Sequence, residues 1–550
     1  MTATITRRDF LKGSAAGAAS FALAGMVGGA AELTAKAAEG QTEFSIVGAQ
    51  SALSAGYDDN TVLNEMADNV GITINWDTMS DSVSEQVSIR IAGNTLPDAF
   101  IGVGFSNYDL AQYGDDGTFI DLTPYITEEY MPNLTAILEE HPEIRSAITM
   151  DDGGIYGLPA AEQMGTAGIG DEEDYSIYTI PQFSMINKAW LDDLGLEVPT
   201  TLDELHDALV AFQENDMSAK YYGNDAGSTI PMSFGFDQWC WGQNIFYAGF
   251  GFTNWPNDVI SDIQVIDGEV GFACVTDGYR EAVTYFHDWY ADGLIDVEVF
   301  SQSDTQYMAK CQQGYVGVGT WWYIEELMGD YADDYVFLPV LAGPDGSYNV
   351  TVRTGGGTNS GNLSITSACE TPENLLAFFD QWYDGEAVMQ LQYGPIGVYF
   401  TEQDEDGMWL SITDEESQEL YGKSAGELKS EYEVYGPKLI LSEYYNEYFY
   451  MEDRAIERLT DLSEYWMTFV SDPTCYPIDC VYTADELDTI DWYKSDFESA
   501  VSEQEALWIQ NGGPTDDEWE AYKTKLVNTC GMDELLEVYT DAYTRYQEAE

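Results

Sequence analysis

Five tryptophans stand where a flat apolar ring could bind a ligand: Trp239, Trp241, Trp255, Trp321 and Trp322. Each lies in or beside a predicted strand end or a glycine-rich loop, which is where α/β folds bind ligands. A sugar presents a face of C–H groups and a rim of hydroxyls, and aromatic planes with hydrogen-bonding neighbours grip such a ring. Core packing explains any single tryptophan equally well. For the adjacent pair, strand alternation predicts one ring facing inward and the other facing the ligand cleft.

Polar side chains close to these rings could supply the hydrogen bonds. Tyr323 follows the tryptophan pair directly, and Asp237 lies inside the aromatic string at 234–241. Arg353 could hold a ligand hydroxyl or carboxylate, or it could neutralise neighbouring acids, and the second role is favoured. For Asp237 a plain surface position is the stronger competing interpretation.

Catalytic motifs are less specific than this aromatic pattern. Paired carboxylates of a glycoside hydrolase are unavoidable by chance in a chain with 98 acidic residues. The string Gly422-Lys423-Ser424-Ala425-Gly426 matches G-x-S-x-G, but the acidic stretch before it does not predict the buried strand that a nucleophile elbow follows. The sequence contains no internal repeat of the kind typical of adhesive surface proteins. A secreted glycan-active enzyme using paired carboxylates is retained as the alternative function.

The sequence predicts neither a metal site nor a cofactor. The three histidines, His141, His206 and His287, lack ligand spacing, and no cysteine spacing resembles a zinc site. Cys475 and Cys480 are the one close pair among seven cysteines. A disulfide between them and two partly buried free thiols are equally compatible with the sequence.

The charge excludes one class of partner. The chain has 20 basic and 98 acidic residues, and removing residues 1–37 leaves 16 basic and 96 acidic residues, a net charge of −80. A surface of this kind repels phosphate backbones and anionic membranes, so nucleic-acid binding is not expected. With 14 Trp, 38 Tyr and 23 Phe the chain is nevertheless expected to fold. A solvated, soluble acidic surface is favoured over a dedicated cation-binding role.

An export signal is predicted at residues 1–37. Thr6-Arg7-Arg8-Asp9-Phe10-Leu11-Lys12 precedes an uncharged Gly/Ala-rich run at 13–31, and Ala35-Lys36-Ala37 offers a small-x-small cleavage site. These features are typical of the twin-arginine route and predict an extracellular or cell-envelope protein without a transmembrane helix in the mature chain. Leu23-Ala24-Gly25 is followed by Met26 rather than cysteine, so lipidation at that place is excluded.

Strands and helices alternate along the N-terminal part, which predicts a mostly parallel sheet. Strands are expected at 43–47 and 72–76 and helices at 60–70 and 82–92. The best-specified helix begins after Thr201, which can cap it while Glu204 reaches back. Its apolar face is formed by residues at helical spacing, namely Leu202, Leu205, Leu209 and Phe212. A length of 550 residues predicts two or three domains.

Short strings spread over residues 43–546 resemble the extracellular solute-binding proteins of ABC importers, family 1, in their oligosaccharide-binding, lipoprotein-like branch. The strings that carry the resemblance are LPD at 96–98, DGTFIDLTPY at 116–125, GGIYGLP at 153–159, NKAWLDDLGLEVPTTLDELHDALVAF at 187–212, YREAVTYFHDWYADGLIDVEVF at 279–300 and YGPIGVYF at 393–400. Their number makes the resemblance more specific than any one string does.

The resemblance implies an α/β, two-lobed periplasmic-binding-protein-like fold with a hinge and a largely helical C-terminal part. It implies a binding protein, not an enzyme, that captures an oligosaccharide, closes on it and delivers it to the transmembrane subunits of an ABC permease. The expected division is 38–165 with 300–355 as lobe 1 and 166–299 with 356–550 as lobe 2.

The resemblance also implies two ligand contacts, Asn107 just beyond the strand after LPD and Glu162 near the hinge. For both residues a plain surface position is the stronger competing interpretation. Many members of the family carry a calcium loop rich in aspartate and asparagine. Residues 215–222 lack its alternating oxygen ligands, so the metal is not carried over to this chain.

Overall fold

The computed structural model describes residues 40–163, 177, 179–253, 260, 262–266, 268–351, 358–405, 407–450, 453–470, 476–477, 480 and 482–549. Three residues singled out above, Trp255, Arg353 and Cys475, lie outside the described residues, as does the export signal. The ligand contact predicted for Trp255, the two roles considered for Arg353 and the two states considered for the cysteine pair therefore stay predictions.

Strands and helices alternate along most of the chain. The strands are β1 Glu43–Ala49, β2 Thr73–Met79, β3 Ala99–Ile101, β4 Leu158–Glu162, β5 Phe183–Asn187, β6 Ile230–Met232, β7 Ile263–Ile266, β8 Glu269–Phe272, β9 Val316–Trp321, β10 Tyr335–Phe337, β11 Asn359–Ile365, β12 Phe400–Gln403, β13 Trp409–Ser411 and β14 Leu439–Ile440. The α-helices are Thr61–Val70, Val83–Ala92, Asn107–Asp115, Pro132–Glu140, Pro142–Ile148, Lys188–Leu194, Leu202–Glu214, Asp277–Ala291, Asp304–Gln312, Ile324–Met328, Pro372–Asp380, Gly385–Tyr393, Asp414–Tyr421, Ala425–Tyr432, Tyr444–Glu447, Asp453–Asp461, Ala484–Asn511, Asp516–Cys530 and Met532–Ala549. The mixed α/β fold and its helical C-terminal part agree with the prediction.

Unit 1 comprises residues 1–176, 355–453 and 479–488. Its six-stranded sheet has the order β14-β4-β11-β3-β1-β2. The pairs β1–β2 and β1–β3 are parallel, as the alternation of strand and helix predicts, whereas β11 runs antiparallel to both β3 and β4. Phe44, Ile46 and Phe100 are fully buried, so the core of this unit lies against the parallel strands.

Unit 2 comprises residues 177–354, 454–478 and 489–550. Its four-stranded sheet has the order β10-β5-β9-β6, with β9 antiparallel to β5 and parallel to β6. All six residues of β9 are buried, which means that both faces of this strand are covered. Trp321, its last residue, lies opposite Phe183, the first residue of β5.

The observed division differs from the predicted lobes in two long stretches and in the short stretch 479–488, which belongs to unit 1. Residues 300–354 belong to unit 2, because β9 pairs with β5, and residues 355–453 belong to unit 1, because β11 pairs with β3 and β4. The prediction placed 300–355 in lobe 1 and 356–550 in lobe 2. The two long differences arise from strand pairings between residues far apart in sequence, which local patterns do not encode.

The helix Leu202–Glu214 forms as its sequence predicts. The Thr201 hydroxyl accepts a hydrogen bond of 3.1 Å from the Glu204 amide, and Leu202, Leu205, Leu209 and Phe212 are all fully buried. The Glu204 carboxylate reaches back by one residue more than expected and accepts 2.9 Å hydrogen bonds from the amide and the hydroxyl of Thr200. The helix thus supports unit 2 through its apolar face and its cap.

Candidate functional site

Two of the predicted tryptophans, Trp239 and Trp241, lie on a loop of unit 2 that many hydrogen bonds hold in place. The side-chain amide of Gln182, just before β5, donates to the carbonyl oxygens of Gln238 (2.9 Å) and Trp239 (3.1 Å). The hydroxyl of Thr320 in β9 donates to the carbonyl of Gly242 at 3.0 Å. Because Gln182 holds the middle of the aromatic string and β9 holds the residue that follows it, the rings that the loop carries have defined positions.

Trp241 and Trp321 belong to the core of unit 2. They are 9% and 8% exposed, and Trp241 stacks on Tyr307 with ring centroids 5.2 Å apart and an interplanar angle of 23°. The Tyr307 hydroxyl in turn donates to the Thr320 carbonyl at 3.0 Å. These contacts indicate that the two rings mainly support the loop and the end of β9.

Trp239 and Trp322 form a second pair at the border of this core. Their ring centroids lie 4.7 Å apart at an interplanar angle of 68°, and both side chains are only partly buried. Trp321 is thus the more buried ring of its neighbouring pair and Trp322 the less buried one, while the prediction that one ring faces the ligand cleft stays a prediction. We refer to Trp239 and Trp322 together as the tryptophan platform. Tyr323, also partly buried, follows it and precedes the helix Ile324–Met328.

Asp237 is tied into the fold of unit 2. Its φ of 56° places it in the left-handed region, where aspartate is tolerated better than most residues. Its amide donates to the Gln243 side chain at 3.0 Å, and its carboxylate accepts from the Ser502 hydroxyl at 2.9 Å. Burial is the main cause that raises the pKa of this carboxyl. The residue therefore anchors the aromatic loop to the long helix Ala484–Asn511, a role that the sequence did not indicate.

A stack of three aromatic rings and one guanidinium group leads from the core of unit 2 to the tryptophan platform. The rings of Trp466 and Phe183 lie 4.1 Å apart, and the guanidinium carbon of Arg458 lies 3.8 Å from the centroid of Phe183 and 3.8 Å from that of Trp322. Two groups this close to one ring must occupy opposite faces, so the order is Trp466, Phe183, Arg458, Trp322. Sequence analysis missed Arg458, whose single signal was the scarcity of basic residues in the chain.

Glu162 lies at the end of β4 in unit 1 within a network of hydroxyl groups. Its carboxylate accepts a hydrogen bond of 3.1 Å from the hydroxyl of Tyr445, which lies 3.3 Å from the hydroxyl of Tyr393. Glu162 is half-buried, whereas the two tyrosines are buried. A carboxylate held in this way can accept hydrogen bonds from ligand hydroxyl groups.

Lys438 lies next to this network, immediately before β14. Its ammonium group donates to the side-chain carbonyl of Gln392, and the side chain is 8% exposed. Burial lowers the pKa of Lys438 to about 8, although the charges of Glu433 and Glu162 act in the opposite direction. This lysine was also missed by sequence analysis.

Asn107 is the first residue of the helix Asn107–Asp115, and its side-chain oxygen accepts a hydrogen bond of 2.6 Å from Ser360 in β11. The neighbour of Ser360, Asn359, pairs with Ala160, two residues before Glu162. Unit 1 therefore brings the two residues implied by the resemblance to the same region of its sheet.

Two expectations about catalytic and metal chemistry can be compared with the structure. Ser424 caps the helix Ala425–Tyr432 through a reciprocal pair of hydrogen bonds with Glu427, and the element before it is the helix Asp414–Tyr421 rather than a buried strand. The G-x-S-x-G string is therefore not a nucleophile elbow. Within the described ranges no group of three or more His, Cys, Asp and Glu side chains could hold a metal ion.

Comparison with known proteins begins with family models. Residues 55–388 match the model of the bacterial extracellular solute-binding proteins, and residues 4–24 match that of the twin-arginine translocation signal sequence. The second match confirms the predicted export route. In the part of the chain that the structure describes, every helix is too short or too polar to cross a membrane.

Individual relatives extend the similarity over most of the chain. The chain is 32% identical over 493 residues to the fructooligosaccharide ABC transporter substrate-binding protein FusA of Streptococcus pneumoniae serotype 4, covering 88% of this chain and 87% of that protein. The structure of FusA in complex with kestose matches with a TM-score of 0.80 and 30% identity, covering 92% of this chain and 100% of that one. A solute-binding protein of Bifidobacterium longum infantis, described as HMO-binding, matches with a TM-score of 0.77 at 20% identity over 92% of this chain and 99% of that one, which shows a shared fold.

Proposed function

The chain belongs to the bacterial extracellular solute-binding protein family, and from that premise we propose that it captures a neutral oligosaccharide outside the cytoplasm and delivers it to the permease of an ABC importer. The observation that carries the proposal is the tryptophan platform, two partly buried rings held by a firmly bonded loop and by the end of β9. Aromatic faces of this kind bind the C–H faces of sugar rings. The similarity to FusA, whose structure contains kestose, supports the same class of ligand.

The charge of the chain supports a neutral rather than an acidic sugar. A net charge of −78 opposes the approach of a polyanion, because a field of one sign is focused near the surface. In unit 1 the candidate contact Glu162 is itself acidic and suits hydroxyl donors. A uronate oligomer would meet repulsion on entering.

No bond is made or broken in the proposed function. The mechanism is binding, conformational closure and release to the permease, in which the ligand shifts a population of conformations. The permease partner and hinge closure are carried from the family resemblance and remain part of the proposal. A glycan-active enzyme, the alternative considered from sequence, would leave cleaved sugar behind.

Isothermal titration calorimetry with the exported chain tests the proposal. Kestose and other short neutral oligosaccharides are expected to bind saturably at one site, whereas oligogalacturonate is expected to bind at least tenfold more weakly. Chromatography of the sugar recovered after prolonged incubation should show that it is unchanged. Cleavage of the sugar would move the assignment to an enzyme, and tighter binding of the uronate would contradict the neutral class.

A further inference from the structure

Arg458 lies where the buried ring stack of unit 2 meets the tryptophan platform. We propose that Arg458 is a positioning residue that fixes the Trp322 ring in its ligand-binding orientation before ligand arrives. The inference rests on the proposed function, because it assigns to Trp322 the role of a sugar-binding face. Nothing in the family resemblance or in the aromatic pattern of the sequence pointed to this arginine.

Arg458 holds Trp322 in two ways. Its guanidinium plane lies against the ring, with the carbon 3.8 Å from the ring centroid, and its Nη1 donates a hydrogen bond of 3.1 Å to the Trp322 carbonyl oxygen. The ring and the backbone of one residue are thus fixed by one side chain. A flat guanidinium can stack and donate in its plane at the same time, which the ammonium of lysine cannot do.

The remaining contacts of Arg458 hold the guanidinium itself in place. Nε donates to the carbonyl of Ile177 at 3.0 Å and Nη2 to that of Ile180 at 3.1 Å, both on the segment that leads into β5. Phe183 covers the other face of the guanidinium at 3.8 Å, and Trp466 supports Phe183 from behind. Movement of the guanidinium would break several contacts at once, so the stack is rigid.

Burial separates this role from direct ligand binding. Arg458 is 0% exposed, whereas the side chains of Trp322 and Trp239 are both partly exposed. A ligand therefore meets the ring and not the guanidinium. Without the arginine, Trp322 would sample other rotamers, and binding would have to order the ring at a cost in affinity.

Calorimetric titration of kestose against four proteins tests the inference: the wild type, Arg458→Lys, Trp322→Ala and the double variant. We expect Arg458→Lys to weaken binding about tenfold, as loss of a desolvated stacking contact and of preorganisation predicts. In the Trp322→Ala background the same substitution should change affinity by less than about twofold, because the arginine acts through that ring. Near-ultraviolet circular dichroism should show that Arg458→Lys loses the signal that Trp322→Ala removes.

Arg280→Lys is the matched control. The guanidinium of Arg280 also faces a tryptophan of unit 2, Trp519, at 5.9 Å from the ring centroid, but away from the platform. The substitution Arg280→Lys should leave kestose affinity unchanged. If Arg458→Lys does not fold, Phe183→Leu removes the ring behind the guanidinium while retaining its hydrogen bonds to carbonyl groups, and it should weaken kestose binding about threefold.

The outcomes separate the two proposals. Wild-type affinity in Arg458→Lys, or additive losses in the double variant, would overturn the positioning role while the proposed function stands. If Phe183→Leu has to be used, unchanged affinity in that variant would overturn the role as well. Failure of the wild type to bind any neutral oligosaccharide would overturn the proposed function and this role with it.

Discussion

The hydroxyl of Tyr279 donates a hydrogen bond of 2.9 Å to the carboxylate of Glu505, which lies 226 residues further along the chain. The hydroxyl of Tyr247 donates to the other carboxylate oxygen, and Glu505 is 5% exposed. Burial, followed by the nearby charge of Asp237, raises the pKa of Glu505 to about 7. The helix Ala484–Asn511 thus places a titrating carboxyl group inside unit 2.

Unfolding of the protein is predicted to depend on pH through Glu505. Because its folded-state pKa exceeds the ordinary value of 4.5, the stabilisation from its bound proton is complete below pH 4.5 and is lost as the pH rises through about 7. We expect the melting temperature to fall from pH 5 to pH 8. Glu505→Gln should remove up to about 3 kcal/mol of the accompanying loss in the free energy of unfolding. Thermal unfolding followed by circular dichroism at four pH values measures it.

The control for that experiment is Glu503→Gln, which replaces an exposed glutamate on the same helix. It should leave the slope of melting temperature against pH unchanged. Asp461 and Asp380, whose pKa values burial raises to about 7 and about 6, titrate in the same direction, so part of the slope should persist in Glu505→Gln. An identical slope in Glu505→Gln and in the wild type would contradict the prediction.

Lys438 is predicted to make the free energy of unfolding rise with pH in the alkaline range, opposite to the effect of Glu505. Burial lowers its pKa from 10.5 to about 8, so the unfolded chain binds the proton more tightly and the penalty for burying the charge disappears between pH 8 and pH 10.5. The share of unfolding free energy that comes from Lys438 should therefore rise over this range. Lys438→Met should lack that rise, whereas Lys525→Met, at an exposed lysine, should retain it. Chemical denaturation at pH 8, 9 and 10 compares the three proteins.

The tryptophans of unit 2 are predicted to separate into ligand-binding and structural groups. Trp322→Ala should weaken kestose binding at least tenfold with a small loss of stability. Trp241→Ala, at a ring that is 9% exposed and stacked on Tyr307, should lower the unfolding free energy by roughly 3–5 kcal/mol. Trp492→Ala, at a ring that is 76% exposed, should do neither. Calorimetry and urea unfolding distinguish these outcomes, and equal effects of all three would contradict the assignment.

Asp380 is predicted to stabilise unit 1 as the cap of a neighbouring helix. Its carboxylate accepts hydrogen bonds from the backbone amides of Asn133 (3.2 Å) and Leu134 (3.1 Å), at the start of the helix Pro132–Glu140. Asp380→Ala leaves the buried Leu134 amide and the partly buried Asn133 amide without this acceptor and should cost roughly 1–3 kcal/mol. Urea unfolding measures the loss. The exposed Glu370, replaced by alanine, is the control and should change stability little.

Local features of the fold were predictable from sequence because their causes are local. The cap at Thr201 and the buried face from Leu202 to Phe212 both depend on residues a few positions apart. The more buried ring of Trp321 and the less buried ring of Trp322 follow from the alternation of a strand in the same way.

Features that depend on distant partners were not predictable. Arg458 contacts carbonyl groups 278 and 281 positions earlier in the chain, and Asp237 contacts Ser502 at a separation of 265. The pairing of β9 with β5 and of β11 with β3 decides which unit each stretch joins. No periodicity within a short window encodes such pairings, so the division into lobes and the supports of the platform required the structure.

The chain passes between its two units at five places, and unit 2 includes the last residues of the sequence. During synthesis, therefore, the loop with Trp239 emerges from the ribosome long before Ser502 and Glu505, which anchor its surroundings. Unit 1 likewise waits for β11 and β14 to complete a sheet begun at Glu43. Neither unit can therefore complete its long-range contacts until residues far along the chain have been synthesised.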